Sequence, residues 1–211
     1  MWLGGLFLLL VLCGAAPAGA GDADLDAWRS ADAETVQAVL ALGRRAFDTY
    51  ALHRDVIDPP GKLPDLLHRR AAVFVSAMRN RAPRCCMGTL TPAEPDAALE
   101  IIASAVAAAG RDRRFPPIKP SELNGLTLIV SIVSAPRPIA ELEISSLDPE
   151  RDGLVARYGG RYGVVLSRET TRTDRMKAWA RIRAGAPAGR RVDYFRIQDV
   201  RFVENEPRPH P

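Results

Sequence analysis

Leu126-Thr127-Leu128-Ile129-Val130-Ser131-Ile132-Val133-Ser134 is the most strongly patterned stretch of the 211-residue chain. Leu128, Val130 and Ile132 fall on one side of an extended backbone, and Ile129, Ser131 and Val133 on the other. Both sides are nearly apolar throughout, so the stretch predicts a strand in the interior of a sheet, covered on two faces. Toward the amino terminus, residues 71–78 and 84–90 read as two further strands, with a hairpin loop over 79–83. Toward the carboxyl terminus, 154–158 and 161–166 flank Gly159-Gly160, a two-residue loop suited to a primed hairpin turn, and 192–203 reads as a last strand.

Helices fill the gaps between these strands. Over 34–52, Val36, Val39, Leu40, Phe47 and Tyr50 recur at helical spacing behind candidate N-caps Ser30 and Asp32. Pro95 and Asp96 open a second helix, whose stripe Ala98, Ile101, Ile102, Ala105, Val106 and Ala109 ends at Gly110; its many alanines imply close approach to a sheet. Met176, Trp179 and Ile182 mark a third, stopping at Gly185. Strands and helices mix without regular alternation. The expected fold is therefore α+β, a mostly antiparallel sheet with packed helices.

Composition bounds the function. Apolar residues at 47% and charged residues at 26% describe an ordinary globular chain. Its net charge is +4, from 29 Lys+Arg against 25 Asp+Glu, and all the basic residues but Lys62, Lys119 and Lys177 are arginine. Those arginines are interspersed with acids, so nucleic acid is not an expected partner. Residues 1–21 carry no charged side chain, and Ala18-Gly19-Ala20 places small residues where a signal peptidase reads. The expected organisation is a signal peptide over 1–20, one domain over 34–203 and a proline-rich disordered tail over 204–211. Cleavage would make the protein secreted or periplasmic, with no stable membrane span; an uncleaved segment would anchor it instead.

The usual catalytic signatures are absent. His53, His68 and His210 lie far apart, and no Gly-x-Ser-x-Gly elbow or phosphate-binding loop occurs. Glu141, Glu143, Asp148, Glu150 and Asp152 read as a solvated acidic loop, and no set of ligands suits zinc. After cleavage only Cys85 and Cys86 remain, and neighbouring cysteines bridge only with strain. On a strand, Arg84 and Cys86 would share one face, and the guanidinium would stabilise a Cys86 thiolate; these two are the candidate catalytic residues. Gly88 would admit a close backbone or ligand, which makes Gly88 and Thr89 candidate ligand contacts. The other reading stays open: free cysteines are commonly small core residues.

Arg84-Cys85-Cys86-Met87-Gly88-Thr89-Leu90 resembles the Leu-Arg-Gly-Cys-Ile-Gly signature of the AMMECR domain family. Further similarities follow in order: Asp112-Arg113-Arg114-Phe115-Pro116-Pro117, Ser121-Glu122-Leu123, Leu128 to Ile132, Pro136 to Ile139 and Asp152-Gly153-Leu154. They extend over about residues 34–203. Cys85 stands where the family has glycine, Pro83 where it has leucine, and Leu166-Ser167 where it has Leu-Pro. The resemblance implies an α+β fold but carries no established reaction, and which cofactor, if any, the protein takes is unknown from the sequence. Some relatives occur beside Memo-like and radical-SAM proteins. Two functions remain: a small ligand or substrate held in a cleft lined by the 84–88 strand, or a non-catalytic module that binds a protein partner.

Overall fold

The computed structural model describes residues 21–205, so the leader expected over 1–20 and most of the expected tail lie outside it. Among the described residues four helices are formed: α1 (Gly21–Arg29), α2 (Ala33–His53), α3 (Ala97–Gly110) and α4 (Thr173–Ala184). The strands are β1 (Ala72–Arg79), β2 (Ala82–Gly88), β3 (Thr127–Val133), β4 (Arg137–Ile139), β5 (Asp152–Tyr158), β6 (Arg161–Val165) and β7 (Asp193–Val203). They make one antiparallel sheet in the order β2-β1-β3-β7-β5-β6, with β4 also on β7. The architecture is α+β, and the expected interior strand, β3, lies between β1 and β7.

Local chemistry explains where the elements begin. Asp32 Oδ1 accepts from the Thr35 N–H at 2.8 Å and Asp96 Oδ1 from the Leu99 N–H at 2.9 Å, so each aspartate caps the helix it precedes. Ser30, the other cap candidate, instead donates to the Asp26 carbonyl at 2.8 Å at the end of α1. Helix α1 has too few apolar positions to be read from spacing. What holds it is Trp28, edge-on to Phe202 with ring centroids 6.1 Å apart. The β5–β6 turn has φ of 53° at Gly159 and 77° at Gly160, as a primed turn requires. The β1–β2 loop is shorter than the expected 79–83. Asn80 and Arg81 form it alone, with φ of 51° and 65°, a conformation that an arginine does not advertise in sequence.

All four helices lie on one side of the sheet. Along β7, Tyr194, Val200 and Phe202 face the helices, while Phe195 and Ile197 face away. Val73, Val75, Leu128, Val130 and Ile132 pack under α2 and α3 against Val39, Phe47, Ile101 and Ala105. Leu154, Ala156 and Val165 pack under α4 against Met176, Ala180 and Ala184. The expected solvated acidic loop ends inside the protein: Asp152 is buried at the start of β5, its Oδ1 accepting from Arg196 Nε at 2.8 Å. Glu204, the first residue of the expected tail, is also held. Its carboxylate takes Arg44 Nε and the Leu128 N–H, both at 2.8 Å, and so pins the end of β7 beside β3.

The sheet is not flat. In a flat sheet β2 and β6 would stand about 24 Å apart, five strand spacings, yet Cys86 on β2 and Val164 on β6 line one cleft. The sheet therefore curls into a half-barrel with an inner face opposite the helices. Helix α4 reaches the rim of that cleft because β6 lets it come close: a Cβ on Gly163 would lie 2.0 Å from the Ala180 carbonyl oxygen and 2.4 Å from the Ala184 nitrogen. Gly163→Ala should thus lift α4 from β6 and cost about 3 kcal/mol. Denaturant unfolding measures it, and a loss below about 0.5 kcal/mol, the range of ordinary surface changes, would mean that α4 does not sit on β6 in this way.

Candidate functional site

A curled sheet that stops short of closure leaves two strand edges with unpaired peptide groups, which must find partners. At the β2 edge, the Cys86 N–H donates to Asp112 Oδ2 at 2.9 Å, and Arg114 Nη2 donates to the Cys86 carbonyl at 2.9 Å. Arg114 also grips both oxygens of Asp112, at 2.9 and 2.8 Å. At the β6 edge, the Leu166 N–H donates to Glu169 Oε1 at 2.8 Å, and Arg183 donates to the Val164 carbonyl. Arg183 Nη2 holds Glu169 Oε2 at 2.7 Å. Each pair of side chains offers one acceptor and one donor, as a neighbouring strand would. The two pairs flank the cleft from opposite sides.

The cleft has two lobes. The larger, about 830 Å³, includes Phe74, Gly88, Leu90, Tyr162, Val164 and Phe195 in its lining. The smaller, about 600 Å³, includes Ser76, Met78, Ile129, Ser131, Trp179 and Arg201. Cys86, Arg114, Leu166, Glu169, Ile182 and Arg183 line both, so Cys86 sits where the lobes meet.

The candidate residues from the sequence are not all brought together. Cys86 faces the cleft, half-buried, while its neighbour Cys85 is 1% exposed on the helix side, in the core with Ala77 and Ile101. The opposite-face geometry of the two cysteines is thus present. Arg84, however, does not share the surroundings of Cys86, which corrects that expectation. The register slips between Ala77 and Met78, which pair with Cys85 and Pro83, and leaves Arg84 as an extra residue in a bulge. Its side chain turns to the segment after α3, with Nε and Nη2 on the Glu122 carboxylate at 2.8 and 3.0 Å and Nη1 on the Pro116 carbonyl at 3.0 Å. Gly88 lines the cleft, but what requires glycine there is β1: a Cβ would lie 2.2 Å from the Val73 carbonyl oxygen. Thr89 Oγ1 donates to Glu100 Oε1 at 2.6 Å, and Glu100 also takes the N–H groups of Ala93 and Glu94, so Thr89 ties a loop to α3.

Sequence reading missed Glu169, Arg183, Ser131 and Arg201 as site residues, because nothing in their spacing links them to Cys86. Asp112 and Arg114 did carry a signal, since they belong to the motif that resembles the family, though its role was unread. Among the described residues no group of His, Cys, Asp and Glu could hold a metal ion.

Electrostatics set the state of the thiols. Burial pushes Cys85 up to about 12. Burial also raises Cys86, and it outweighs the hydrogen bond from Ser76 and the attraction of Arg114 and Arg183. Both guanidinium groups are already compensated by Asp112 and Glu169, which limits what they lend to a thiolate. The cleft therefore presents Cys86 as a neutral thiol.

A family model described as AMMECR1 matches residues 40–201. A protein of Thermotoga maritima is 40% identical over 124 residues, 58% of this chain and 70% of that one. A protein of Thermofilum pendens is 31% identical over 198 residues, 83% of this chain and 92% of its own. The crystal structure of the uncharacterized protein PH0010 from Pyrococcus horikoshii matches with a TM-score of 0.73 at 27% identity, covering 82% of this chain and 93% of that one. The names of these relatives state no activity.

The Arg84–Glu122 clamp yields a pH test. Chiefly through the hydrogen bonds from Arg84, against the opposing effect of burial, Glu122 is held down at about 2, below its ordinary 4.5. A carboxyl lowered in the folded state stabilises above its unfolded value, and that contribution is lost as pH falls from 4.5 toward 2. Glu122→Gln should be less stable than the parent at pH 7, with the gap in urea midpoint closing across that window. A gap that stays constant with pH would rule out the ionised clamp.

Proposed function

The chain belongs to the AMMECR1 family, and on that premise we propose that it binds a small ligand in the two-lobed cleft, with Cys86 as a neutral thiol contact where the lobes meet. The observation that carries this reading is the position of Cys86: it lines both lobes, and its own N–H and C=O are fixed by Asp112 and Arg114. Lobes of 830 and 600 Å³ are of the size that holds small molecules, and mixed apolar walls with a few convergent polar groups are what such sites use. Binding is favoured over attack by a thiolate because burial raises Cys86 and each adjacent guanidinium is already spoken for.

Alkylation of the folded chain by iodoacetamide, mapped by peptide mass, tests this. Cys86 should react slowly at pH 7 and faster as pH rises, and Cys85 only on unfolding. A neutral aromatic probe, benzyl alcohol at millimolar concentration, should slow the reaction at Cys86. Rapid alkylation of Cys86 at pH 7 would favour a nucleophile, and equal reaction of both cysteines would overturn the site. A second reading has one observation behind it: Ile182 is 73% exposed and Tyr162 53% exposed at the cleft rim, as a surface for a protein partner would be. Because Ile182 lines both lobes, Ile182→Lys should weaken benzyl alcohol protection under the first reading; under the second, benzyl alcohol gives no protection and the same change abolishes partner capture.

We further propose that the chain is exported, on the apolar leader and the Ala18-Gly19-Ala20 site. Among the described residues no helix is long and apolar enough to cross a membrane. The intact mass of the exported protein should begin at Gly21; full-length chain in the membrane fraction would indicate an uncleaved anchor.

A further inference from the structure

The smaller lobe has an electrostatic character that the larger lacks. Arg81, Arg114, Arg168, Arg183 and Arg201 line it, against a single carboxylate, Glu169. Three of these arginines are compensated: Arg114 by Asp112, Arg168 by Glu150 and Arg183 by Glu169. Arg81 and Arg201 have no carboxylate partner among the described residues. Arg81 projects from the two-residue β1–β2 turn. Among the described residues the Arg201 fork donates only to the Ser167 carbonyl, from Nη1 at 3.2 Å. Asp199 lies two residues along β7 but does not pair with Arg201. Its Oδ1 takes the Ser167 N–H at 3.0 Å; burial raises its pKa against the attraction of Arg201, with which it makes no hydrogen bond or ion pair.

A second, independent feature lies in the floor of the lobe. Ser131, on the central strand β3, is 1% exposed and its Oγ has no hydrogen-bond partner among the described residues. It pairs in register with Arg201 on β7 and with Phe74 on β1. Directly opposed residues on one face stand about 5 Å apart at Cβ, so the hydroxyl and the guanidinium address one volume. A buried hydroxyl without a partner is costly, and an apolar residue would have served a strand interior at no such cost. Met78, Ile129, Trp179 and Ile182 supply apolar wall to the same lobe.

We propose that the smaller lobe receives an anionic head group, a carboxylate or phosphate carried on an apolar body, held by Arg201, Arg81 and the hydroxyl of Ser131. The inference rests on the small-ligand reading above and specifies the class of ligand: an amphipathic organic anion. Arg201 and Arg81 supply charge and forked donors, and Ser131 supplies a fixed hydroxyl donor. The apolar body extends past Cys86 toward the larger lobe.

Protection of Cys86 from iodoacetamide on the full chain separates this inference from the reading beneath it. The probes are phenyl phosphate, benzoate and neutral benzyl alcohol. At least one anion should half-protect Cys86 at a concentration about tenfold below benzyl alcohol, the worth of one charge-assisted contact, with the advantage shrinking in high salt. Phosphate and carboxylate heads are told apart by which anion leads. Arg201→Met and Ser131→Ala should erase that advantage, so that on either variant the anions protect Cys86 no better than benzyl alcohol does on the same variant. Arg81→Gly should reduce it about threefold, as one exposed charge would; glycine suits the φ of 65° there, so this variant keeps its fold. Anions that protect no better than benzyl alcohol would overturn the anion site while the cleft stands. Failure of all three probes would overturn both.

Discussion

An open half-barrel has two edges, and every peptide group on them that is removed from water needs a partner. In this protein the need is met by two Arg–carboxylate pairs, Asp112–Arg114 on β2 and Glu169–Arg183 on β6. Closing the barrel with hydrogen bonds between β2 and β6 would satisfy the same groups and leave no cleft. Capping each edge with side chains keeps them apart. The gap between the capped edges is the cleft, so edge satisfaction and the site come from one device.

The same pairs govern the chemistry of Cys86. A thiol at the meeting of two lobes with two guanidinium groups nearby looks, at first sight, poised to ionise. Each guanidinium, however, already faces a carboxylate at hydrogen-bond distance, and the net field of a bidentate pair is small beyond its own atoms. Burial then prevails, and the thiol stays protonated. Elsewhere, in the smaller lobe, Arg81 and Arg201 make no ion pair with a carboxylate among the described residues. An arginine in this protein matters to the site according to whether it lacks a carboxylate, not according to how close it is to the cysteine.

The Asp112 to Pro117 motif gains a physical meaning here. Asp112 and Arg114 act as a substitute strand for β2. Phe115 lies beneath both Arg84 and Arg114, with their guanidinium carbons 5.9 and 5.6 Å from its ring centroid. The Pro116 carbonyl accepts from Arg84. Cys85, which stands where the resemblance has glycine, fills the core on the helix side, beside Ala77.

Much of the fold was legible in the chain. The 2.0-residue period of 126–134, the 3.6-residue stripes over 34–52 and 98–109, the capping aspartates and the Gly159-Gly160 turn are local signals, each set by backbone geometry within a few residues. The opposite faces of Cys85 and Cys86 were legible for the same reason. What local signals do not contain is a bulge, a curl or a register. One extra residue at Arg84 moved its guanidinium from Cys86 to Glu122, and the pairing of β3 with β7 placed Ser131 opposite Arg201. Glu169 and Arg183 reach the cleft because the sheet curves far enough to bring its sixth strand toward its first. Those placements depend on contacts between residues distant in sequence. They were decided only when the helices had packed on one face and left the other to curl.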